Sequence, residues 1–162
     1  MKLEEFVDSR EEMERILGEE TLGYLGLSVD GQPYVVPLNY AYSGGKVVFH
    51  CALKGQKLDA IRRNPQVCFT VARQTGSVVD HAGGLPCHLD SGSVICYGRA
   101  RLIEDLGERE IALNAFNRRF RPDAPDLARE RVEKCLAVEI TVAEMTGRQE
   151  VSRRGTYWRS HF

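Results

Sequence analysis

The stretch FHCALKGQKLDAIRRNP, residues 49–65, begins as a strand and ends as a helix. Its first residues alternate in the manner of a buried strand, and the step KGQK, residues 54–57, follows. Leu58 and Ile61 then lie three apart on one helical face, and Asn64-Pro65 ends the helix. The pattern predicts a helix that begins close to Gly55, where the absence of a side chain allows a ligand to approach the backbone.

This strand-to-helix step has the features of an anion site. The first N–H groups of a helix have no acceptor within the helix, and the helix dipole favours a negative charge beside them. Lys54 and Lys57 flank the glycine, and Arg62 or Arg63 follows one to two turns later. The step therefore predicts a phosphate site, although the same residues are also typical of an ordinary solvated turn.

Two features of the neighbouring strands extend the predicted site. His50 alternates with Phe49 and Cys51, so its side chain should point to the opposite face of the strand. Pro37 lies inside the strand VVPLNYAY, where proline is tolerated only at an edge or a bulge. A partly unpaired strand beside a phosphate site can offer backbone N–H and C=O groups to a flat heteroaromatic ring.

Alternating patterns and turn signals predict six strands, at residues 21–29, 32–42, 46–52, 66–72, 93–103 and 136–142. Asp30-Gly31 favours a type I′ hairpin, and Ser43-Gly44-Gly45 marks a second turn. There is no repeating strand-helix-strand rhythm. The expected class is therefore mainly β (α+β), an antiparallel barrel with short helices.

Helices are expected at three further places. The Ser9–Glu12 segment has the form of a capping box, with Met13, Ile16 and Leu17 on one face before Gly18. A second helix is expected at residues 107–120, with an apolar stripe of Leu106, Leu113, Phe116 and Phe120, and a short third one within residues 126–135. The glycine-rich residues 74–92 are expected to form mainly a long loop.

Composition limits the classes of function. The 162 residues carry 22 Lys and Arg against 23 Asp and Glu, a net charge of −1, which does not favour a nucleic-acid or membrane partner. No apolar run is long enough for a bilayer, and the amphipathic, acidic start does not look like a signal peptide, so a cytoplasmic location is expected. The five cysteines include no C-x-x-C and are expected to be free thiols. We expect a single domain, residues 1–162, with an N-terminal helical region at 1–20 and a basic tail at 148–162.

Three motifs in order carry a family resemblance. They are P-x-x-x-P-L-N at residues 33–39, F-H-x-A-x-x-G-x-K-L-x-x-I-x-x-N-P at 49–65, and S-V-I-x-x-G-R-A at 93–100. Residues 10–147 resemble the pyridoxamine 5′-phosphate oxidase-like split-barrel superfamily, which binds flavin mononucleotide (FMN), and are most similar to its nitroimidazole-resistance (Nim) reductase branch. The resemblance implies a homodimer of six-stranded split barrels with FMN in the groove between the subunits.

The resemblance also implies roles for single residues. By it, Val36, Pro37, Leu38 and Asn39 line the isoalloxazine; His50, Cys51 and Ala52 face the ring or the ribityl chain; Gly55, Gln56 and Lys57 take the phosphate; and Ser93 and Val94 reach the flavin from the other subunit.

The first functional hypothesis is an FMN-dependent reductase. The flavin would take electrons from NAD(P)H or a redox partner and pass them to a small oxidised acceptor such as a nitroaromatic. His50 is the candidate catalytic proton donor, because histidine titrates near neutral pH; the alternative is a packing or hydrogen-bonded histidine. Oxidase activity on pyridoxamine 5′-phosphate is a further alternative, although apolar residues and Asn39 replace the basic and polar residues that the oxidases carry on the second strand.

Other hypotheses place the function elsewhere. The chain could bind haem, or carry flavin without turnover. His81, Cys87 and His88 are candidate ligands, but they lack a fourth partner, so no metal site is predicted. The tail, with Arg148, Arg153, Arg154 and Arg159, could contact nucleic acid or fold over the dimer to close the flavin site. The second reading is favoured because the chain as a whole is not basic.

Overall fold

The computed structural model describes residues 6–7, 9–79, 88–151 and 154–162. Its elements in chain order are β1 (Phe6–Val7), α1 (Arg10–Glu19), β2 (Leu22–Val29), β3 (Gln32–Asn39), β4 (Ala41–Ser43), β5 (Lys46–Cys51), α2 (Gln56–Arg63), β6 (Gln66–Val79), β7 (His88–Ile103), α3 (Leu106–Phe120), α4 (Arg129–Glu133), β8 (Leu136–Val151) and β9 (Arg154–His161). The strands form one nine-stranded sheet. The expected mainly antiparallel fold with short helices is confirmed, whereas the expected number of six strands is too low.

The long strand β8 organises the sheet. Along one edge it pairs with β7, and along the other it pairs first with β5 and then with β9. Beyond β7 the sheet continues through β6 and β2 to β3, and all of these pairings are antiparallel. Because β5 and β9 share one edge of β8, the sheet bends sharply around the apolar interior.

The path from β3 to β4 nearly closes the sheet on itself. Residues 32–39 pair with β2, and residues 41–43 pair with β5. Tyr40 lies between the two pieces, 1 % exposed, with its ring packed edge-on against Phe69 at 4.7 Å between centroids. The chain thus joins both ends of the sheet without a continuous hydrogen-bonded ladder, so the barrel stays split.

The helices α1 and α2 cover the interior of this barrel. Met13, Ile16 and Leu17 of α1 are buried, as the sequence predicts, and Leu58 and Ile61 of α2 join the same core. Strand residues whose side chains alternate inward, among them Leu25, Phe49, Phe69, Val71 and Ile140, complete it. The periodicities read from the sequence therefore identify the correct inward faces.

The expected loop at residues 74–92 is largely wrong. Strand β6 continues to Val79 and β7 begins at His88, with Gln74 opposite Ser91 and Val79 opposite His88. Antiparallel pairing between the two long strands outweighs the low strand propensity of their glycines. Residues 80–87 lie outside the described part of the chain.

The basic tail expected at residues 148–162 belongs to the sheet, which the sequence pattern does not predict. Strand β8 extends to Val151, and β9 returns along it with Trp158 opposite Gly147. Trp158 is buried, and Phe162 N–H donates to the Ala143 carbonyl at 3.0 Å. The described part of the tail is thus paired within the sheet of its own chain. Arg153 lies outside the described residues.

The sequence predicts the positions of α1 and α3, but not how α1 is capped. Ser9 stands before α1 but makes no side-chain capping bond, and the helix continues through Gly18 to Glu19. The helix expected at 107–120 is found as α3, where Leu113 and Phe116 are buried but Phe120 is 42 % exposed. The capping box does not form: the Ser9 side chain accepts no capping bond, and the Glu12 carboxylate accepts from Arg15 at 2.8 Å.

Gly44 and Gly45 form a matched pair for testing the packing of the C-terminus. Both have positive φ, +54° and +79°, so alanine should cost each about 1–2 kcal/mol. Only at Gly45 would a Cβ meet the Phe162 ring, at 2.7 Å, and displace it from Arg10, whose guanidinium lies 3.8 Å from the ring centroid. We expect Gly45→Ala to lower the free energy of unfolding by roughly 1 kcal/mol more than Gly44→Ala in urea denaturation, the size of an exposed cation–π contact.

The additional loss of stability in Gly45→Ala should vanish in a Phe162→Ala background, because the ring that the new Cβ meets is then absent. Equal losses for the two glycines in the wild-type background would contradict this account of the turn.

Candidate functional site

Two free strand edges flank the split in the barrel. The pairing of β4 with β5 ends at Ala41 and Val48, although the same register would place Tyr40 opposite Phe49 and then Asn39 opposite His50. Asn39 pairs instead with Leu22, and His50 pairs with Ala137. Within the described residues β3 pairs only with β2, so its other edge and the free edge of residues 49–51 border one gap. This explains how Pro37 is accommodated, since β3 is an edge strand.

The step that follows β5 forms the start of α2. Gly55 has φ +143°, a conformation that side chains rarely adopt, and nothing lies within 4 Å of the place where a Cβ would stand. Leu58 and Asp59 N–H donate to the Gly55 carbonyl at 3.0 and 3.2 Å. The amides of Gln56 and Lys57 are the first of the helix and have no acceptor within it. An anion could therefore reach these amides directly.

Lys57 folds back over the end of β5. Its ammonium lies 5.6 Å from the Phe49 ring centroid. Burial raises the pKa of the Cys51 thiol, and the positive charge of Lys57 partly opposes this rise. The structure therefore brings the Lys57 ammonium close to Cys51 and Phe49 at the end of β5.

The two arginines of α2 do not join this group. Arg62 pairs with Asp59 at 3.6 Å, and Arg63 pairs with Asp30 of the β2–β3 turn at 3.3 Å. Both are thus engaged by carboxylates on the exposed side of the helix, and the cationic part of the step consists of Lys54 and Lys57.

His50 lies on the outer face of β5, as its alternation predicts. It is exposed, and its ring meets Phe116 of α3 edge-on at 4.9 Å between centroids. The described contacts give His50 a packing partner on one side and solvent on the other. Its orientation is compatible with either role proposed for it.

The remaining predicted residues divide between the two faces of the sheet. Val36 and Leu38 pack against the core, whereas Pro37 and Asn39 are exposed, and the Asn39 amide donates to the Thr21 carbonyl at 2.9 Å. Ala52 is exposed just beyond β5.

Of the two residues expected to reach across a dimer, Ser93 is half-buried on β7. Val94 is fully buried in the core, and its carbonyl accepts a bond from Thr70. The inward alternation on β7 therefore points the Val94 side chain into the barrel of its own chain, whereas its neighbour Ser93 lies on the other face.

An apolar patch covers the outer face of β2, β3, β6 and β7. Val35, 62 % exposed, lies in one row with Gly26, Cys68 and Tyr97, and Pro37 lies in the next row with Tyr24, Thr70 and Ile95. Leu22, Tyr24 and Tyr97 are also exposed. We call these two rows and Leu22 the outer patch.

A cavity that the sequence does not signal lies between α3 and the outer face of the β4–β5 hairpin. Its volume is about 590 Å³. We call it the α3 cavity; it is lined by Ala41, Tyr42, Ser43, Lys46, Val48, Arg101, Ile103, Glu108, Ile111, Ala112, Ala115, Phe116, Arg119 and Glu139. None of the sequence-predicted site residues lines it, but Phe116 belongs both to this cavity and to the contact with His50.

Glu139 is the buried charge of this cavity. Lys46 Nζ donates to its Oε2 at 3.1 Å, and Arg101 Nε donates to its Oε1 at 2.9 Å. Burial by itself would raise the pKa of the Glu139 carboxyl, but these two bonds hold it below its usual range. The carboxylate is therefore stabilised in its charged form beside the β4–β5 hairpin.

A second cavity, of about 610 Å³, lies between α2 and the β2–β3 hairpin. Tyr34, Gln56 and Asp59 are among its lining residues, so Gln56 links it to the start of α2.

The described residues contain no cluster of three or more His, Cys, Asp or Glu side chains placed for a metal ion. His81 and Cys87 lie outside the described part of the chain, and His88 begins β7. Among the helices described, none is long and apolar enough to cross a membrane.

A family model described as pyridoxamine 5′-phosphate oxidase matches residues 9–149. The chain belongs to this family. The resemblance drawn from the three motifs is thereby confirmed, and the family relation covers β2 to β8 together with α1, α2 and the α3 cavity.

Solved structures confirm the split-barrel fold. A Bacteroides thetaiotaomicron protein described as a candidate 5-nitroimidazole antibiotic resistance protein is 26 % identical, with a TM-score of 0.76 over 87 % of this chain and 84 % of that chain. A FAD-binding protein from Mesorhizobium loti is 25 % identical, with a TM-score of 0.66 over 88 % of this chain and 96 % of that chain. The flavocytochrome Anf3 from Azotobacter vinelandii is 20 % identical, with a TM-score of 0.77 over 96 % of this chain and 79 % of that chain, and shows likeness of fold alone.

A curated relative, an uncharacterized protein from Rhizobium meliloti, is 40 % identical over 79 residues, which cover 45 % of this chain and 51 % of the relative. The match thus spans about half the length of that relative.

The ion pairs of Glu139 predict how stability changes with pH. The pKa of the Glu139 carboxyl is lower in the folded than in the unfolded chain. Its contribution to the free energy of unfolding is therefore fully present above the unfolded pKa, about 4.3, and is lost as the pH falls through the folded pKa. We expect Glu139→Gln to lower the free energy of unfolding at pH 7, and the difference from wild type to shrink steadily below about pH 4.3 in urea denaturation.

Glu108→Gln is the matched control, because the Glu108 carboxylate pairs with Arg101 at the exposed rim. It should change stability by less than about 1 kcal/mol. A Glu139→Gln loss that stays constant from pH 7 to pH 3 would show that packing, and not the ion pairs, accounts for it.

Proposed function

We propose that this protein is an FMN-dependent oxidoreductase that reduces a small oxidised acceptor such as a nitroaromatic. One observation carries the proposal: the start of α2, with its open Gly55 and the Lys57 ammonium, lies at the end of a free strand edge in a chain of this family. FMN, when bound, would supply reversible electron transfer between NAD(P)H or a redox partner and the acceptor. We further propose that the protein is cytoplasmic.

The residues present suit the parts of FMN. The amides of Gln56 and Lys57 would bind the phosphate, and the Lys57 ammonium would neutralise its charge. The space beside Gly55 suits the approach of a phosphate, since no atom beyond its chain neighbours lies within 4 Å of its Cβ position. On the free edge of Val36 to Asn39 the N–H that follows Pro37 is that of Asn39, which would face the ring and stabilise negative charge there. His50, Cys51 and Ala52 would border the other side of the gap.

The outer patch supports a homodimer. Its exposed Leu22, Tyr24, Val35 and Tyr97 form an apolar surface of the kind that marks protein contacts. Pro37, Asn39 and Ser93 lie on or beside this surface, so a second copy seated there would approach the same gap from outside. We propose that the flavin is enclosed between the two copies.

His50 is proposed as the residue that donates a proton to the acceptor. Its ring is exposed at the outer side of the split, and the Phe116 contact fixes its position without using its nitrogens in a bond that the structure describes. A histidine can hold and release a proton near neutral pH, which suits this role.

The first test is the visible absorption of the purified protein and the mass of whatever heat releases from it. We expect a yellow protein that releases FMN. Lys57→Gln should weaken FMN binding about tenfold in fluorescence titration of the flavin-free protein, the loss of one charge-assisted bond, and should leave riboflavin binding unchanged because riboflavin has no phosphate.

Lys134→Gln, a change at an exposed lysine after α4, is the control and should affect neither ligand. Equal weakening of FMN and riboflavin by Lys57→Gln would place the phosphate elsewhere. A Soret band, or a colourless protein that refuses FMN, would contradict the proposed function.

The second test concerns His50. We expect His50→Ala to retain bound FMN and to reduce the rate of nitroaromatic reduction at least tenfold, because a positioned proton donor commonly contributes more than that. The measurement is stopped-flow reduction with NADH or NADPH, followed by mixing with the acceptor. His161→Ala, which changes an exposed histidine of β9, should leave the rate unchanged. An unaltered rate in His50→Ala would leave His50 as a packing residue.

A further inference from the structure

The helix beside the α3 cavity is tied to the chain segments that precede and follow it. Arg109 donates from Nε to the Ile103 carbonyl at 3.0 Å and from Nη2 to the Glu104 carbonyl at 2.8 Å. Farther along the helix, Asn114 Oδ1 accepts from Leu127 N–H at 2.8 Å. Neither Arg109 nor Asn114 lines the cavity, so these bonds fix α3 without filling the space between α3 and the β4–β5 hairpin.

The side of α3 that faces the cavity has small residues in its middle and charges at its ends. Glu108, Ala112, Ala115 and Arg119 lie one above the other at helical spacing and all line the cavity. With Val48 and Phe116 opposite and beside them, the two alanines leave an apolar space. Its volume of about 590 Å³ lies within the range of small-molecule sites.

The charged groups of the cavity favour an anion. Three cations, Lys46, Arg101 and Arg119, face two carboxylates, Glu108 and Glu139. Each oxygen of Glu139 already accepts a bond from a cation, whereas Lys46 uses one of its three N–H donors in the bonds described. Lys46 therefore keeps two N–H donors for a ligand, although Arg119 already donates to the Gly18 carbonyl. The three cations outnumber the two carboxylates, so the net charge of the lining is positive.

We propose that the α3 cavity binds a flat, mainly apolar small molecule that carries one anionic group, such as an aromatic carboxylate. Its apolar body lies between Ala112, Ala115 and Val48, and its anion is held at Lys46. Phe116 lines this cavity and also packs against His50. On the basis of the proposed function, the molecule bound here would therefore be the substrate of the flavoprotein. Binding itself does not depend on flavin.

The test is isothermal titration calorimetry of the full chain with 2-naphthoate and with its neutral analogue 2-naphthamide, with and without FMN. We expect 2-naphthoate to bind at least tenfold more tightly than 2-naphthamide. Ala115→Trp, which fills the cavity, should weaken 2-naphthoate at least tenfold. Asn117→Trp places the same side chain on α3 outside the cavity lining and should have no effect.

Lys46→Gln provides an independent variant should Ala115→Trp not fold. It should remove the preference for the carboxylate and leave 2-naphthamide binding unchanged. No measurable binding of 2-naphthoate, equal binding of the two probes, or full binding by Ala115→Trp or Lys46→Gln would overturn the inference. Binding of 2-naphthoate by a protein that takes no flavin would support the α3 cavity and contradict the proposed function, so the two can fail separately.

Discussion

The hydroxyl of Tyr40 donates a hydrogen bond to the Leu17 carbonyl at 2.8 Å, inside the core and at the residue where the chain exchanges one strand partner for another. Burial raises the pKa of this phenol, so it remains a donor. The bond satisfies a carbonyl in the last turns of α1, and the edge contact with Phe69 holds the ring. Because Tyr40 is fixed from both sides, the segment before it stays with β2 and the segment after it stays with β5.

That exchange of partners produces the split, and the split produces the candidate site. If β3 continued along β5 in the register of β4, Asn39 would face His50 and both edges would be consumed by a ladder. The exchange instead leaves one edge of β3 and the end of β5 unpaired within the described residues. The chain then turns through Gly55 into α2, which brings helix amides and the Lys57 ammonium to the end of the same gap. The edge and the helix terminus are thus two consequences of one change in pairing.

Local signals in the sequence predict the parts of this arrangement that local chemistry determines. Asp30-Gly31 and Gly44-Gly45 adopt the positive φ values that their turns require, and Gly55 marks the start of α2. The strand β9 and the extensions of β6 and β7 are not predicted, because the pairing that forms them joins distant residues such as Gly147 and Trp158. Val94 was assigned a role by resemblance, and the alternation along β7 would have shown that it points inward. No local pattern in the sequence predicts the α3 cavity. Ala112 and Ala115 line a cavity only because α3 lies opposite the β4–β5 hairpin, which is distant in the sequence.

The outer face of β4 and β5 connects the two candidate sites. Ala41 and Ser43 on one strand, and Lys46 and Val48 on the other, line the cavity, and the next outward residue of β5 is His50. Phe116 contacts His50 at one end of this row and lines the cavity at the other. Any movement of α3 would therefore move the wall against which His50 packs. The anchors of α3 on its far side, Arg109 and Asn114, fix that wall, so the position of His50 depends on bonds that touch neither site.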